Sequence, residues 1–239
     1  MKTKLVILAG GRGTRLNEKT KDIPKPLITL GDSKPIIWHI MNWYSKHDFK
    51  DFVICLGYKG NLISDYFHNN PQNDWNIEFV DTGLDDGTAS RLYQIKDYVG
   101  QTFFMTYGDG LSNVDIPSLL RFHLNNKKLA TVTAVRPLVR FGLLKLDNHL
   151  VQSFNKYSKP PEGWIDGGFF VFQKEIFNMM NIVDKKEMLE GAILENLAKE
   201  NEFCAYKHED YWRCIDTYRD LLMVNKDIQN KKGLWYESL

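Results

Sequence analysis

The 239-residue chain contains no apolar run long enough to cross a bilayer, so a membrane-spanning protein is not expected. Its first strand begins almost at once and lacks the flanks of a secretory leader. Its formal net charge is only +1, which gives no basic or acidic surface to mark a nucleic-acid or membrane binder. Cysteine is scarce: Cys55, Cys204 and Cys214 are odd in number, widely spaced and form no C-x-x-C pair. That argues against a disulfide scaffold or a zinc site. Cys55 lies in an apolar run and reads as a small buried residue. A reducing cytoplasm is the expected setting. Repeats and low-complexity linkers are also missing, so residues 1–239 are expected to form a single domain, long enough for a full core.

Two familiar phosphate motifs are absent as well. No Gly-x4-Gly-Lys-Ser/Thr string occurs near the N-terminus, and a dinucleotide fingerprint fails at Leu16, where a third glycine would stand. What is present is a continuous apolar run, Leu5 to Leu8, suited to a parallel strand buried on both faces. It runs into Ala9-Gly10-Gly11-Arg12-Gly13-Thr14-Arg15. The glycines let backbone N–H groups come close to a ligand, and two arginines share the turn. A positive, amide-rich loop after a buried strand suits a polyphosphate. Pro24-Lys25-Pro26 follows. Prolines on both sides restrict the backbone at Lys25, so its ammonium can be aimed at one place, such as a phosphate over the loop.

Further along, buried strands are expected over Asp51–Leu56 and Thr102–Thr106, and further strands over Ile77–Val80, Ala130–Val135 and Val151–Phe154. Pro35 is expected to open a helix to about Lys46, in which His39 reads as a packing residue. Helices are also expected to about His68, from Thr88 as cap to about Val99, from Asp115 to Asn125, and from Thr217 to about Asn230. Gly57-Tyr58-Lys59-Gly60 and Gly108-Asp109-Gly110 end strands, where open α/β sheets bind ligands. Lys59 reads equally well as a solvated turn lysine. Asp85 and Asp86 read as a solvated acidic loop rather than a metal pair. Asp109 alone could be a turn aspartate or a Mg²⁺ ligand beside a triphosphate.

The string G-G-R-G-T-R-L…P-K-P resembles the signature of the sugar-phosphate nucleotidylyltransferases, and W-H-I and V-I-C-L-G-Y-K-G are similar to the glucose-1-phosphate cytidylyltransferase branch. The resemblance implies a doubly wound α/β sandwich of three layers with a mixed, mostly parallel central sheet. It implies transfer of a nucleotidyl group, CMP from CTP, to a sugar 1-phosphate with Mg²⁺ and release of pyrophosphate. The product would be a CDP-sugar for lipopolysaccharide or capsule. A homo-oligomer stays open.

By the same resemblance Arg15 and Lys25 are catalytic. Leu8, Ala9, Gly10, Gly11, Arg12, Gly13, Thr14, Tyr58, Thr88, Arg91 and Asp109 would hold the nucleotide. Gly108, Gly142, Lys159, Asp166, Gly167 and Glu190 would face the acceptor. Asp109 and the remote Asp216 of W-R-C-I-D-T would bind the metal. Glu190 alone could equally serve a helix dipole.

The chain departs from the family in four places. The loop after His68 is short. Ala89 and Ser90 stand where the branch has two glycines. The glutamate of F-x-E-K-P has no counterpart in Phe154–Pro160. Asp166 replaces an asparagine that could both donate and accept. Three of these touch the acceptor side, so the acceptor is expected to be retuned towards an amino- or deoxy-sugar phosphate or a non-sugar phosphate. The alternative is that Lys156, Tyr157 and Asp166 bind glucose with a rearranged hydrogen-bond set. A guanylyl-, thymidylyl- or uridylyltransferase of the same fold, and a non-catalytic nucleotide-sugar-binding module, are the other readings.

Overall fold

The computed structural model describes residues 2–31, 34–137, 143–155 and 163–232. Eleven strands are formed among them: β1 (Leu5–Leu8), β2 (Asp51–Leu56), β3 (Asn76–Asp81), β4 (Thr102–Tyr107), β5 (Gly110–Ser112), β6 (Ala130–Val135), β7 (Leu143–Asp147), β8 (Leu150–Asn155), β9 (Ile165–Gln173), β10 (Phe203–His208) and β11 (Trp212–Cys214). Helices are α1 (Ile36–Ser45), α2 (Gly60–Asn69), α3 (Thr88–Gln94), α4 (Ile116–Asn126), α5 (Ile176–Met179), α6 (Leu194–Lys199) and α7 (Tyr218–Gln229).

Seven strands form the central sheet in the order β10-β6-β9-β4-β1-β2-β3. All neighbours run parallel except β9, which is antiparallel to both β4 and β6. The sheet is thus mixed and mostly parallel. The apolar run of β1 serves both faces, because side chains alternate across a strand. Leu5 and Ile7 join one core with residues of α1, α2, α4 and α7; Val6 and Leu8 join a second with residues of α3, α5 and α6. Helices therefore cover both sides of the sheet, and three layers result. Two short ribbons, β5–β11 and β7–β8, stand apart from this sheet.

Some element ends differ from the sequence reading. Gly87, not Thr88, occupies the cap position of α3, and the helix stops at Gln94. Thr88 is spent differently: its hydroxyl accepts from the Leu189 N–H and donates to Glu190. The expected caps of α4 and α7 are formed. Asp115 accepts from the Ser118 N–H at 2.8 Å, and Thr217 makes a reciprocal capping box with Asp220. His39 is buried against Trp38, as a packing residue would be.

Candidate active site

The chain reverses direction across the sheet between β1 and β4, and ligand crevices of open α/β sheets form beside such a point. There the loop after β1 meets the loop after β4. Gly13 adopts φ +61°, and a Cβ on it would stand 3.0 Å from the Lys25 side chain. Both facts favour glycine. Pro26 packs on Gly108, where a Cβ would come within 3.0 Å of the proline ring. The P-K-P segment is thereby held against both loops.

Lys25 is nearly buried, and its ammonium donates to Asp109 at 2.6 Å and to Asp216 at 2.8 Å. Burial alone would lower its pKa, but the two carboxylates outweigh that and raise it. Arg15 reaches the other oxygen of Asp216 at 2.8 Å. Burial would raise the Asp216 carboxyl, yet Lys25 and Arg15 together hold it below the usual range. The two aspartates lie more than one hundred positions apart. They meet because β11 pairs antiparallel with β5, Gly110 opposite Cys214, and the Ile215 N–H bonds to the Asp109 carbonyl at 3.0 Å.

Two cavities adjoin this cluster. A smaller one of about 250 Å³ is lined by Leu8, Ala9, Gly10, Gly11, Gly13, Lys25, Thr88, Arg91, Gly108 and Asp109, with Tyr107. A larger one of about 490 Å³ is lined by Tyr107, Asp109, Asp166, Gly167, Trp212, Cys214, Asp216 and Arg219, among others. Tyr107 and Asp109 belong to both walls. Most of the expected nucleotide set is therefore gathered in one cavity, and Asp166 and Gly167 of the acceptor set in the other. Gly108, expected on the acceptor side, lies with the nucleotide set. Gly142 and Lys159 fall outside the described residues.

Several other expected residues do something different from simple lining. Arg12 bonds Asp85 at 2.9 Å and lies over the Tyr58 ring, while the Tyr58 N–H donates to the Gly10 carbonyl. Thr14 begins a short 3₁₀ turn. Lys59 donates to the Lys21 carbonyl at 2.6 Å. Asp85 and Asp86 are not merely solvated. Asp86 accepts from Ser90 at 2.7 Å and Gln94 at 2.9 Å, so the pair braces its loop. Glu190 does stand in the first turn of a helical segment. It lies in a π-helical turn, Leu189–Ile193, and accepts from the Tyr107 hydroxyl and from Thr88. That contact, with burial as the larger cause, pushes the Tyr107 phenol well above its usual range. Tyr107 was not singled out by sequence, though an aromatic residue immediately before G-D-G was the available signal.

Arg91 lines the smaller cavity and also has a role the sequence did not show. It is buried, and its guanidinium donates to the Asp86, Leu56, Gly10 and Leu84 carbonyls and to the Thr82 hydroxyl. It braces three loops around the smaller cavity. A Cβ on Gly10 would fall 2.1 Å from its Nη1 atom, so that glycine makes room for the arginine. Arg91→Met should leave several buried acceptors unpaired and cost on the order of 3–5 kcal/mol of stability in urea unfolding. Arg91→Lys should recover little of this, since one ammonium cannot span the same fork. A variant as stable as the parent would contradict the bracing role.

One carboxylate oxygen each from Asp109 and Asp216 and the sulfur of Cys214 lie within 4.8 Å of one another. The carboxylates already hold one cation, the Lys25 ammonium, and two hard oxygen donors suit Mg²⁺ with substrate phosphates. In the metal-free site burial, then both aspartates, push the Cys214 thiol far above its usual range.

Fold and site together define the nucleotide-diphospho-sugar transferase class. The nucleotidyl transferase family model matches residues 4–231, and the chain belongs to that family. It is 40% identical to the "Probable glucose-1-phosphate cytidylyltransferase" of Bacillus subtilis (strain 168), over 97% of this chain and 98% of that one. It is 38% identical to the glucose-1-phosphate cytidylyltransferase of Salmonella typhi, over 97% and 95% of the two chains. Among solved structures, HddC from Yersinia pseudotuberculosis aligns with TM-score 0.74 over 95% of this chain and 100% of that one, at 22% identity.

Proposed function

We propose that the chain transfers CMP from CTP to a sugar 1-phosphate, glucose 1-phosphate in the first instance, with Mg²⁺ and release of pyrophosphate. The carrying observation is that Lys25, Asp109 and Asp216 form one cluster where the two cavities meet. The nucleotide takes the cavity of the glycine loop and the acceptor takes the cavity of Asp166 and Gly167. Relatives of the cytidylyltransferase branch, matched over nearly the whole chain, favour CTP and glucose 1-phosphate.

The acceptor's phosphate oxygen attacks the α-phosphorus of CTP, and the bond to pyrophosphate breaks. The nucleophile is already an anion, so no protein base is required. Alignment and neutralisation of charge do the catalytic work. Lys25 and Arg15 supply fixed positive charge there. Asp109 and Asp216 would hold Mg²⁺, which when bound neutralises phosphate charge and orients the triphosphate. The reaction belongs, in this reading, to cytoplasmic nucleotide-sugar synthesis for lipopolysaccharide or capsule. Among the described residues no helix is long and apolar enough to cross a membrane.

A panel of four nucleoside triphosphates against sugar 1-phosphates, read as pyrophosphate, tests the assignment. CTP with glucose 1-phosphate should give the highest kcat/KM. A better pair with UTP, dTTP or GTP would move the base assignment, and silence throughout would remove the catalytic one.

Asp166 bears on the acceptor. It opens on the larger cavity and stays exposed to it, while the protein packed around the rest of it raises its pKa to about 6, against the Gly168 N–H that pulls it down. The group is mostly neutral below that value and charged above it. An anionic phosphate nearby should therefore bind less well as pH rises. The ratio of acceptor KM, wild type over Asp166→Asn, should climb severalfold as pH passes through about 6. Using the ratio cancels the acceptor's own ionisation. A falling ratio would instead support an acceptor that carries a positive charge.

A further inference from the structure

The smaller cavity has two lips. One is the glycine loop, with Gly10, Gly11 and Gly13 in the wall, and the other is the segment Asp86-Gly87-Thr88. Arg12 stands between two of the lining glycines, and Asp85 stands next to lining Asp86. Their side chains meet across the rim: Nε and Nη2 of Arg12 donate to the same Asp85 oxygen, Oδ1, at 3.3 and 2.9 Å. The guanidinium also lies over the Tyr58 ring, 5.8 Å from its centre.

The two partners are not held alike. Asp85 sits on a fixed loop, because Arg91 bonds the Leu84 and Asp86 carbonyls on either side of it, and Ser90 and Gln94 bond the Asp86 carboxylate. Arg12 is flanked by glycines, and a Cβ on Gly11 would meet no atom within 4 Å, so the chain has room beside it. The Arg12 and Asp85 side chains are 50% and 64% exposed, and a single carboxylate oxygen takes both bonds. Such a pair is weak and readily exchanged. A polyphosphate entering the cavity offers the guanidinium several anionic oxygens in place of one, and bonds to phosphate are among the strongest that an arginine makes.

We propose that Asp85 is a positioning residue that parks Arg12 at the rim of the smaller cavity, a role that rests on the nucleotide reading of that cavity. Arg12 changes partner from Asp85 to the polyphosphate tail when nucleotide binds, and returns to Asp85 when pyrophosphate leaves. Asp85 thus weakens polyphosphate binding, and it does so through Arg12. Calorimetry of the full chain with Mg²⁺ measures binding of two probes, CTP and inorganic pyrophosphate. Asp85→Asn should tighten both about threefold or more, since the competing anion is gone. Arg12→Ala should weaken both roughly tenfold. In the Arg12→Ala background, Asp85→Asn should change either affinity by less than about twofold, because the exposed carboxylate is screened and no arginine is left to release. Both side chains are exposed, so thermal melts should change little. Asp85→Asn that leaves binding unchanged or loosens it would overturn the proposal and make Asp85 a brace at most. Tightening that persists in the Arg12→Ala background would overturn it too, since Asp85 would then act by plain repulsion. Wild type that binds neither probe would remove the nucleotide reading together with the proposal, whereas wild type that binds them leaves the variants to judge the proposal alone.

Discussion

Lys25→Ala should lose roughly 10²–10³ in kcat, the scale of removing a preorganised charge-stabilising group. The effect should fall on turnover rather than on acceptor KM, because the charge matters most as negative charge redistributes in the transition state. Lys25→Arg should recover little. The site is nearly closed around a compact ammonium held at 2.6 and 2.8 Å, and a planar fork cannot take that place. The substitution also leaves Asp109 and Asp216 facing each other without their shared cation. Their mutual repulsion should raise one carboxyl pKa, and metal should bind more readily in the absence of nucleotide. Steady-state kinetics and Mn²⁺ titration of the free protein measure the two effects. A Lys25→Ala enzyme with near-normal kcat would remove the lysine from the mechanism.

Asp109→Asn and Asp216→Asn should each reduce turnover by roughly 10² or more and shift the Mg²⁺ titration to higher concentration. The double variant should be little worse than either single, because both carboxylates act on one ion and their effects cannot simply add. The structure adds a difference between them. Asp216 also holds Arg15 at 2.8 Å, so Asp216→Asn should free that arginine and disturb the nucleotide loop, whereas Asp109→Asn should not. Metal titrations of the two single variants, each with CTP at fixed concentration, separate the roles. A normal Mg²⁺ titration for Asp216→Asn would mean that the second ligand lies elsewhere.

The parts of this site that the sequence made legible are those built from contiguous residues. Leu5–Leu8 is apolar without a break because both its faces are covered, and the glycine loop must follow it directly. The helix caps Asp115 and Thr217 were readable for the same reason, since a cap and its first turn are neighbours in sequence. What was hidden rests on pairing at a distance. Three-residue strands such as β5 and β11 carry no period, so nothing local announced the ribbon that brings Asp216 to Asp109. The antiparallel β9 between two parallel runs likewise reads as one more buried strand. The bracing role of Arg91 was not visible in the sequence, because its donors go to protein acceptors gathered from three separate loops. Two of those acceptors, the Leu56 and Gly10 carbonyls, lie far from Arg91 in sequence.

The most direct measurement follows the nucleotidyl group itself. The full chain is incubated with Mg²⁺, glucose 1-phosphate and CTP labelled at the α-phosphorus. Label should move from CTP into a CDP-sugar, with unlabelled pyrophosphate formed one for one, and added pyrophosphate should drive the label back into CTP. Label that stays in CTP, appears as free CMP, or remains on the protein would contradict direct transfer between two substrates held at the Lys25–Asp109–Asp216 cluster.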